Sequence, residues 1–301
     1  MSRPPTFTPP PCARASRLRT ARGDFAVLDA RPAEGVAVRG TALLLPGYTG
    51  SKEDFIAMLQ PLADAGYRTV AVDGRGQYET EGPETEDAYA QAELARDAIA
   101  QAEALGNDGG SGPVHLLGHS LGGQIARAAV LLDAAPFATL TLMSSGPAEV
   151  APAQQQKIKL LGDALRVMTM DQVWEAMRAL DPPEEAEYLR STREDLRQRW
   201  LRHHPVQLLV TGRRLTVEPD RVHELAALRP ALPLHVVSGE SDDTWPVPLL
   251  DAMAERLGAH RTVVEGAAHS PNTDRPTETA AAVTRFWDTR GPRRQGLQNR
   301  D

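Results

Sequence analysis

Cysteine is nearly missing from this sequence. Cys12 is the one cysteine in 301 residues, so no intrachain disulfide and no multi-cysteine zinc or iron–sulfur site can form. Long apolar runs are missing as well. None approaches the roughly 18–20 residues needed to cross a bilayer, so stable membrane insertion is not expected. No His-Glu-x-x-His pattern is present, and no metal or other cofactor is implied. Internal repeats are absent too. Acidic residues are scarce at both ends, with none in 1–22 and only Asp301 in 290–301: residues 1–22 carry +5 and residues 290–301 carry +3, which leaves −15 for residues 23–289 out of a total of −7. A body this acidic repels phosphate backbones, so nucleic acid is not an expected partner. The first 22 residues hold five prolines and lack the apolar core of a secretory signal. They are read as a disordered basic arm, residues 290–301 as a flexible tail, and the protein as cytoplasmic. The length suits one large α/β domain. A small-molecule enzyme is the class left standing.

What is present begins with alternation. Strands are predicted at Phe25–Leu28, Val36–Val38, Thr41–Leu45, Arg68–Val72, Val114–Leu117, Thr139–Met143, Leu234–Val237 and Thr262–Val264. A helix starts near the capping-box-like Ser51–Asp54 and is expected to kink at Pro61. Others cover about 86–105, 121–132, 248–257 and 277–287. Strands alternating with helices imply right-handed crossovers and a mostly parallel sheet with helices on both faces. The alternation breaks once. Residues 148–229 are read as a helical cap inserted into a core formed by 23–147 and 230–289. Its predicted helices are Leu160–Met170, Gln172–Leu180, Glu184–Trp200 and Val222–Leu228.

Gly118-His119-Ser120-Leu121-Gly122 follows a buried strand and opens a helix. That is the context of a nucleophile elbow: a serine in a sharp strand-to-helix turn, flanked by glycines, with helix N–H groups facing a developing oxyanion. Here the sequence resembles the α/β-hydrolase superfamily, over about residues 24–288. The resemblance implies a triad in the order Ser, Asp, His. Gly239-Glu-Ser-Asp242-Asp243-Thr-Trp-Pro246 resembles the family's acid turn and selects Asp242, with Asp243 as rival. Gly266-Ala-Ala-His269-Ser-Pro271 resembles the histidine loop. The second oxyanion donor, beside the N–H of Leu121, is expected in Leu45-Pro46-Gly47-Tyr48-Thr49-Gly50, from Tyr48 or else Thr49. Proline stands where the family often has histidine. Asp73-Gly-Arg75-Gly76 is similar to a structural turn of the family, but Gln77-Tyr78-Glu79 departs from its usual continuation.

These residues imply a serine hydrolase of the carboxylesterase or lipase kind, acting on a small, partly apolar ester or acyl substrate through an acyl-enzyme on Ser120. Pocket candidates are His119, Trp174 of the cap and Trp245 beside the acid. Carbon–carbon bond hydrolase, thioesterase, peptidase and non-catalytic ligand-binding readings use the same residues. Strongly anionic substrates are expected to be disfavoured unless Arg166, Arg178 or Arg190 turns inward. The oligomeric state is not fixed by the sequence.

Overall fold

A computed structural model describes residues 3–107, 114–180 and 192–290. Its centre is an eight-stranded sheet: β1 Ala13–Thr20, β2 Gly23–Ala30, β3 Gly40–Leu45, β4 Tyr67–Val72, β5 Val114–His119, β6 Phe137–Met143, β7 Leu234–Gly239 and β8 His260–Val264. The spatial order is β1-β2-β4-β3-β5-β6-β7-β8. Strands β1, β2 and β4 pair antiparallel, and every pairing from β4 to β8 is parallel.

The parallel strands inside the sheet, β3 to β7, are buried on both faces, which explains their apolar runs, whereas edge strand β8 is largely exposed. Leu43, Leu116 and Val236 face one layer, with α2 (Gln91–Asn107), α3 (Leu121–Leu132) and Leu250 and Met253 of a later helix. Leu44, Leu117 and Val237 face the other, against α1 (Ile56–Asp64) and the last helix, Pro276–Arg290. Successive residues thus serve opposite cores, as the pleat requires.

Between β6 and β7 lie α4 (Pro152–Val167), α5 (Met170–Ala179), α6 (Arg193–Arg202), α7 (Pro205–Leu215) and α8 (Val222–Ala226). After β7 come α9 (Val247–Leu257), α10 (Pro271–Asp274) and α11 (Pro276–Arg290). Helix α7 was not expected; its proline stands at the first helical turn, where a missing N–H costs nothing, rather than breaking a helix. Residues 184–191 of the expected 184–200 helix lie outside the described residues, as do 291–301 of the expected tail.

Three local expectations are corrected. Residues 13–20 of the supposed disordered arm form edge strand β1, paired along its whole length with β2. The arm's charge is partly met by α2, where Arg22 pairs with Glu93 and Asp97 at 2.7 and 2.6 Å. Val36–Val38 is exposed loop, not strand. Ser51 makes no capping bond; its hydroxyl donates to Glu53 at 2.6 Å, and Asp54 instead forms a fully buried pair with Arg199 of α6 at 2.7 Å. Helix α1 continues through Pro61 to Asp64. Among the described residues, no helix is long and apolar enough to cross a membrane.

Burial also sets an acid limit on stability. Desolvation holds His115 and His203 down to about 4, and His119 and His235 down to about 3. Above about pH 6.5 these side chains are neutral in both folded and unfolded chains. Below it the unfolded chain takes up protons that the fold refuses, so stability falls as pH drops from about 6.5 towards 4. Asp73 and Asp54 oppose this, because burial pushes both carboxyls upward, but they are two groups against four. The urea midpoint is expected to be clearly lower at pH 5 than at pH 7. An equal or higher midpoint at pH 5 contradicts the assignment of these histidines as neutral.

Candidate active site

Ser120 sits between the end of β5 and the start of α3 with φ 54° and ψ −118°. That is a strained conformation for a residue with a side chain, and it persists because its surroundings over-determine it. The Ser120 N–H donates to the Met143 carbonyl at 2.9 Å. A Cβ on Gly118 would fall 2.2 Å from the Gly122 carbonyl oxygen, and one on Gly122 would fall 2.3 Å from that of Leu45. Both flanking glycines are therefore demanded by close backbone approach.

The ends of β7 and β8 bring two more groups to the same crevice, at the carboxyl edge where ligands of open α/β sheets bind. His269 Nε2 lies 3.1 Å from Ser120 Oγ, and His269 Nδ1 lies 2.9 and 3.0 Å from the two Asp242 oxygens. A carboxylate only accepts, so Nδ1 carries the hydrogen and Nε2 presents its lone pair to the serine hydroxyl. The Asp242 side chain is wholly buried. Its Oδ1 also accepts from the N–H groups of Thr244 and Trp245 at 2.8 and 3.1 Å. Asp243 points elsewhere: its side chain is 70% exposed, accepts from Gln154 at 2.6 Å and lies 3.9 Å from Lys157.

The loop after β3 closes the other side. A side chain on Gly47 would meet Ser120 Cβ at 3.4 Å, so the Gly47–Tyr48 peptide stands against the serine. Gln77, which had no assigned purpose in the sequence, fixes that peptide. Its side-chain N–H donates to the Gly47 carbonyl at 2.9 Å while its oxygen accepts from Gly74 N–H at 3.0 Å. In a trans peptide the C=O and the following N–H point in opposite directions. Holding the Gly47 carbonyl on Gln77 therefore turns the Tyr48 N–H away from Gln77. Leu121 is the first residue of α3, where helix N–H groups lack intrahelical partners.

His119 is buried, and its Nε2 lies 2.8 Å from the His269 carbonyl oxygen. The carbonyl can only accept, so Nε2 donates and the ring ties the elbow to the histidine loop. The two tryptophans expected in the pocket are not there. Trp174 is sealed inside the helical insert with Val173, Leu196 and Trp200 and carries Arg178 over its ring. Trp245 is also fully buried; its N–H donates to Ala148 and Glu149, bracing the acid loop from behind. Aromatic character drove both expectations, and complete burial in packing is what overrides them.

A cavity of about 830 Å³ opens over Ser120 and His269, with Tyr48, His119, Ile158 and Arg3 among its lining residues. Arg3 comes from the arm read in the sequence as disordered and basic. Phe7 of the same arm packs edge-on against Tyr78 and beneath Arg199. The expected inward arginines are otherwise engaged: Arg166 donates to Asp163, Arg178 covers Trp174, and Arg190 lies outside the described residues. Asp73 and Arg75 are structural, pairing with Lys52 at 2.8 Å and with Asp97 at 2.6 Å.

The sequence model of the alpha/beta hydrolase family matches residues 42–282. The chain belongs to that family. Among solved alpha/beta structures, it resembles a thermophilic esterase from Thermogutta terrifontis, solved with malate bound, with a TM-score of 0.72 and 20% identity over 93% of this chain and 100% of the other. It also resembles an esterase from Exiguobacterium antarcticum, with a TM-score of 0.72 and 17% identity over 91% of this chain and all of that one. At these identities the likeness is one of fold. A protein described as a carbamate hydrolase, RutD, from Variovorax paradoxus (strain S110) is 36% identical over 115 residues. That match spans 38% of this alpha/beta hydrolase and 40% of the relative.

Proposed function

We propose that this alpha/beta hydrolase is a serine esterase that cleaves a small, partly apolar carboxylic ester through an acyl-enzyme on Ser120. The observation that carries the reading is the unbroken chain Ser120 Oγ, His269 Nε2, His269 Nδ1, Asp242, with its 3.1 and 2.9 Å links. Ser120 Oγ attacks the carbonyl carbon as its proton passes to His269. Asp242 holds the imidazole in the required tautomer and stabilises the cation that forms. The N–H groups of Tyr48 and Leu121 receive the oxyanion, a contribution of about 3 kcal/mol for each such donor. His269 then gives its proton to the leaving alcohol. Water enters, loses a proton to His269 and releases the acid by the same route.

The test is direct. The protein should hydrolyse p-nitrophenyl acyl esters and take up one fluorophosphonate per chain, on the peptide that contains Ser120. Binding without turnover or labelling defeats the reading and identifies a ligand-binding protein of the same fold.

Gln77 provides a second check. Gln77→Leu keeps the shape of the side chain but removes its bond to the Gly47 carbonyl, leaving that peptide held by the longer bond from the Gly50 N–H at 3.2 Å. It should lower kcat by roughly 10–100-fold, the scale of one weakened oxyanion donor, while KM changes little. A fall confined to KM counts against the Tyr48 N–H as a donor.

A further inference from the structure

The helical insert is tied to the catalytic loops by a buried ion pair, Asp54 with Arg199, that the mechanism above does not use. Asp54 sits in the single helical turn Lys52–Phe55, just after the loop that carries Tyr48, and Arg199 belongs to α6. Both side chains are wholly buried and meet at 2.7 Å. The Arg199 guanidinium also lies over the Phe7 ring. Three segments converge on Asp54. A Cβ on Gly50 would collide with Asp54 Oδ2, so the carboxylate is pressed against the backbone of the oxyanion loop. The Asp54 carbonyl accepts from the side-chain N–H of Asn272 at 2.8 Å, and Asn272 is fully buried just beyond His269. The third segment is α6, which ends by placing the His203 ring beside Gly50. The ring nitrogens lie 2.8 Å from the Arg199 carbonyl oxygen and 3.1 Å from that of Gly50. A neutral ring has one N–H and donates to only one of these carbonyls, so the ion pair carries the rest of the link.

Stability alone gives no reason for such a pair. Desolvation of two buried charges offsets most of their attraction, and apolar side chains of similar volume are often as stable in their place. What the pair adds is direction. A charge-assisted bond from a planar guanidinium fixes distance and angle together, whereas apolar contact tolerates sliding. Direction matters here because the loop beside Asp54 carries the Tyr48 N–H. Gln77 holds the Gly47 carbonyl from the core side at 2.9 Å, and the Gly50 N–H donates to the same carbonyl at 3.2 Å. A shift of Gly50 is therefore passed to the Gly47–Tyr48 peptide.

We propose that Arg199 and Asp54 are positioning residues for the oxyanion loop, through which α6 of the insert holds the Tyr48 N–H where the reaction needs it. The inference rests on the esterase reading for the role of that N–H. Neither residue is among those lining the cavity over Ser120, so neither touches the substrate. The pair acts through Gly50 on one side and through Asn272 and the histidine loop on the other. Its loss should therefore lower kcat and leave KM nearly unchanged.

The test compares melting temperature with the kinetics of p-nitrophenyl butyrate hydrolysis in the full chain. Arg199→Met alone strands a buried carboxylate and should lower both melting temperature and kcat. Adding Asp54→Leu removes that charge and should return the melting temperature to roughly the wild-type value. In this double variant kcat should stay at least about tenfold down, the scale of one weakened oxyanion donor, with KM changed less than about threefold. A purely structural pair requires kcat to recover together with the melting temperature, and that result would overturn the proposal. Arg199→Lys keeps the charge without the planar guanidinium and should lower kcat by roughly threefold at unchanged KM. Where the double variant stays unstable, Arg199→Lys decides, and a wild-type kcat there overturns the proposal. A second arm needs no turnover. Hydrogen exchange over residues 47–54 should be at least about tenfold faster in the double variant, or in Arg199→Lys, than in the wild type, while β5 exchanges as before. Faster exchange in a protein that cleaves no ester leaves the coupling standing while the esterase reading fails. Unchanged exchange overturns the coupling itself.

Discussion

Ser120→Ala is expected to reduce hydrolysis of p-nitrophenyl esters by about 10⁴–10⁶-fold and to abolish fluorophosphonate labelling. The size of the loss follows from the role proposed for the serine. Without Oγ no acyl-enzyme forms, and His269 is left only water to activate. What survives is the contribution of the oxyanion donors and of substrate binding. The substitution should leave the fold intact, since the anchoring bond at this position is from backbone N–H to the Met143 carbonyl, at 2.9 Å. Alanine also relaxes no strain, because the φ of 54° is imposed by the turn and not by the hydroxyl. A nearly full rate with Ser120→Ala would move the nucleophile elsewhere, and labelling that persists would show where.

The groups around Ser120 were legible in the sequence because each is set by a short-range constraint. A glycine two residues before and after the serine, a buried run before it and a helix pattern after it specify one local backbone. The acid and histidine loops follow strands in the same way. Interactions between distant segments were not legible. Edge strand β1 reads as a basic arm because three of its five exposed residues are arginines; its role emerges only through pairing with β2 and the contact of Arg22 with α2. Charged edge strands are common because they discourage further pairing. Gln77 looked like a departure from pattern, and its use depends on Gly47, thirty residues away in the chain. Trp174 and Trp245 show the converse error. Aromatic side chains near a motif suggest a pocket, but both are completely buried, and burial area favours closing them into packing.

Spacing in the acid turn left Asp242 and Asp243 adjacent and unequal, and the geometry around them predicts how far apart their variants should fall. Asp242→Asn should lower kcat by about 10⁴-fold. The amide can still be accommodated, but it can present an N–H to His269 Nδ1, which favours the tautomer with hydrogen on Nε2. That nitrogen then cannot accept the Ser120 proton, and the imidazolium loses its counter-charge. Both Asp242 oxygens lie within 3.0 Å of Nδ1, and the Thr244 and Trp245 amides hold the carboxylate there, so no small rotation repairs the change. Asp243→Asn should change kcat less than about fivefold, since an exposed pair 3.9 Å from Lys157 contributes about 1 kcal/mol at most. Measured together on one ester, the two variants discriminate cleanly. Equal losses would mean that the acid loop rearranges in solution, and a larger loss at Asp243 would assign the acid to the exposed neighbour.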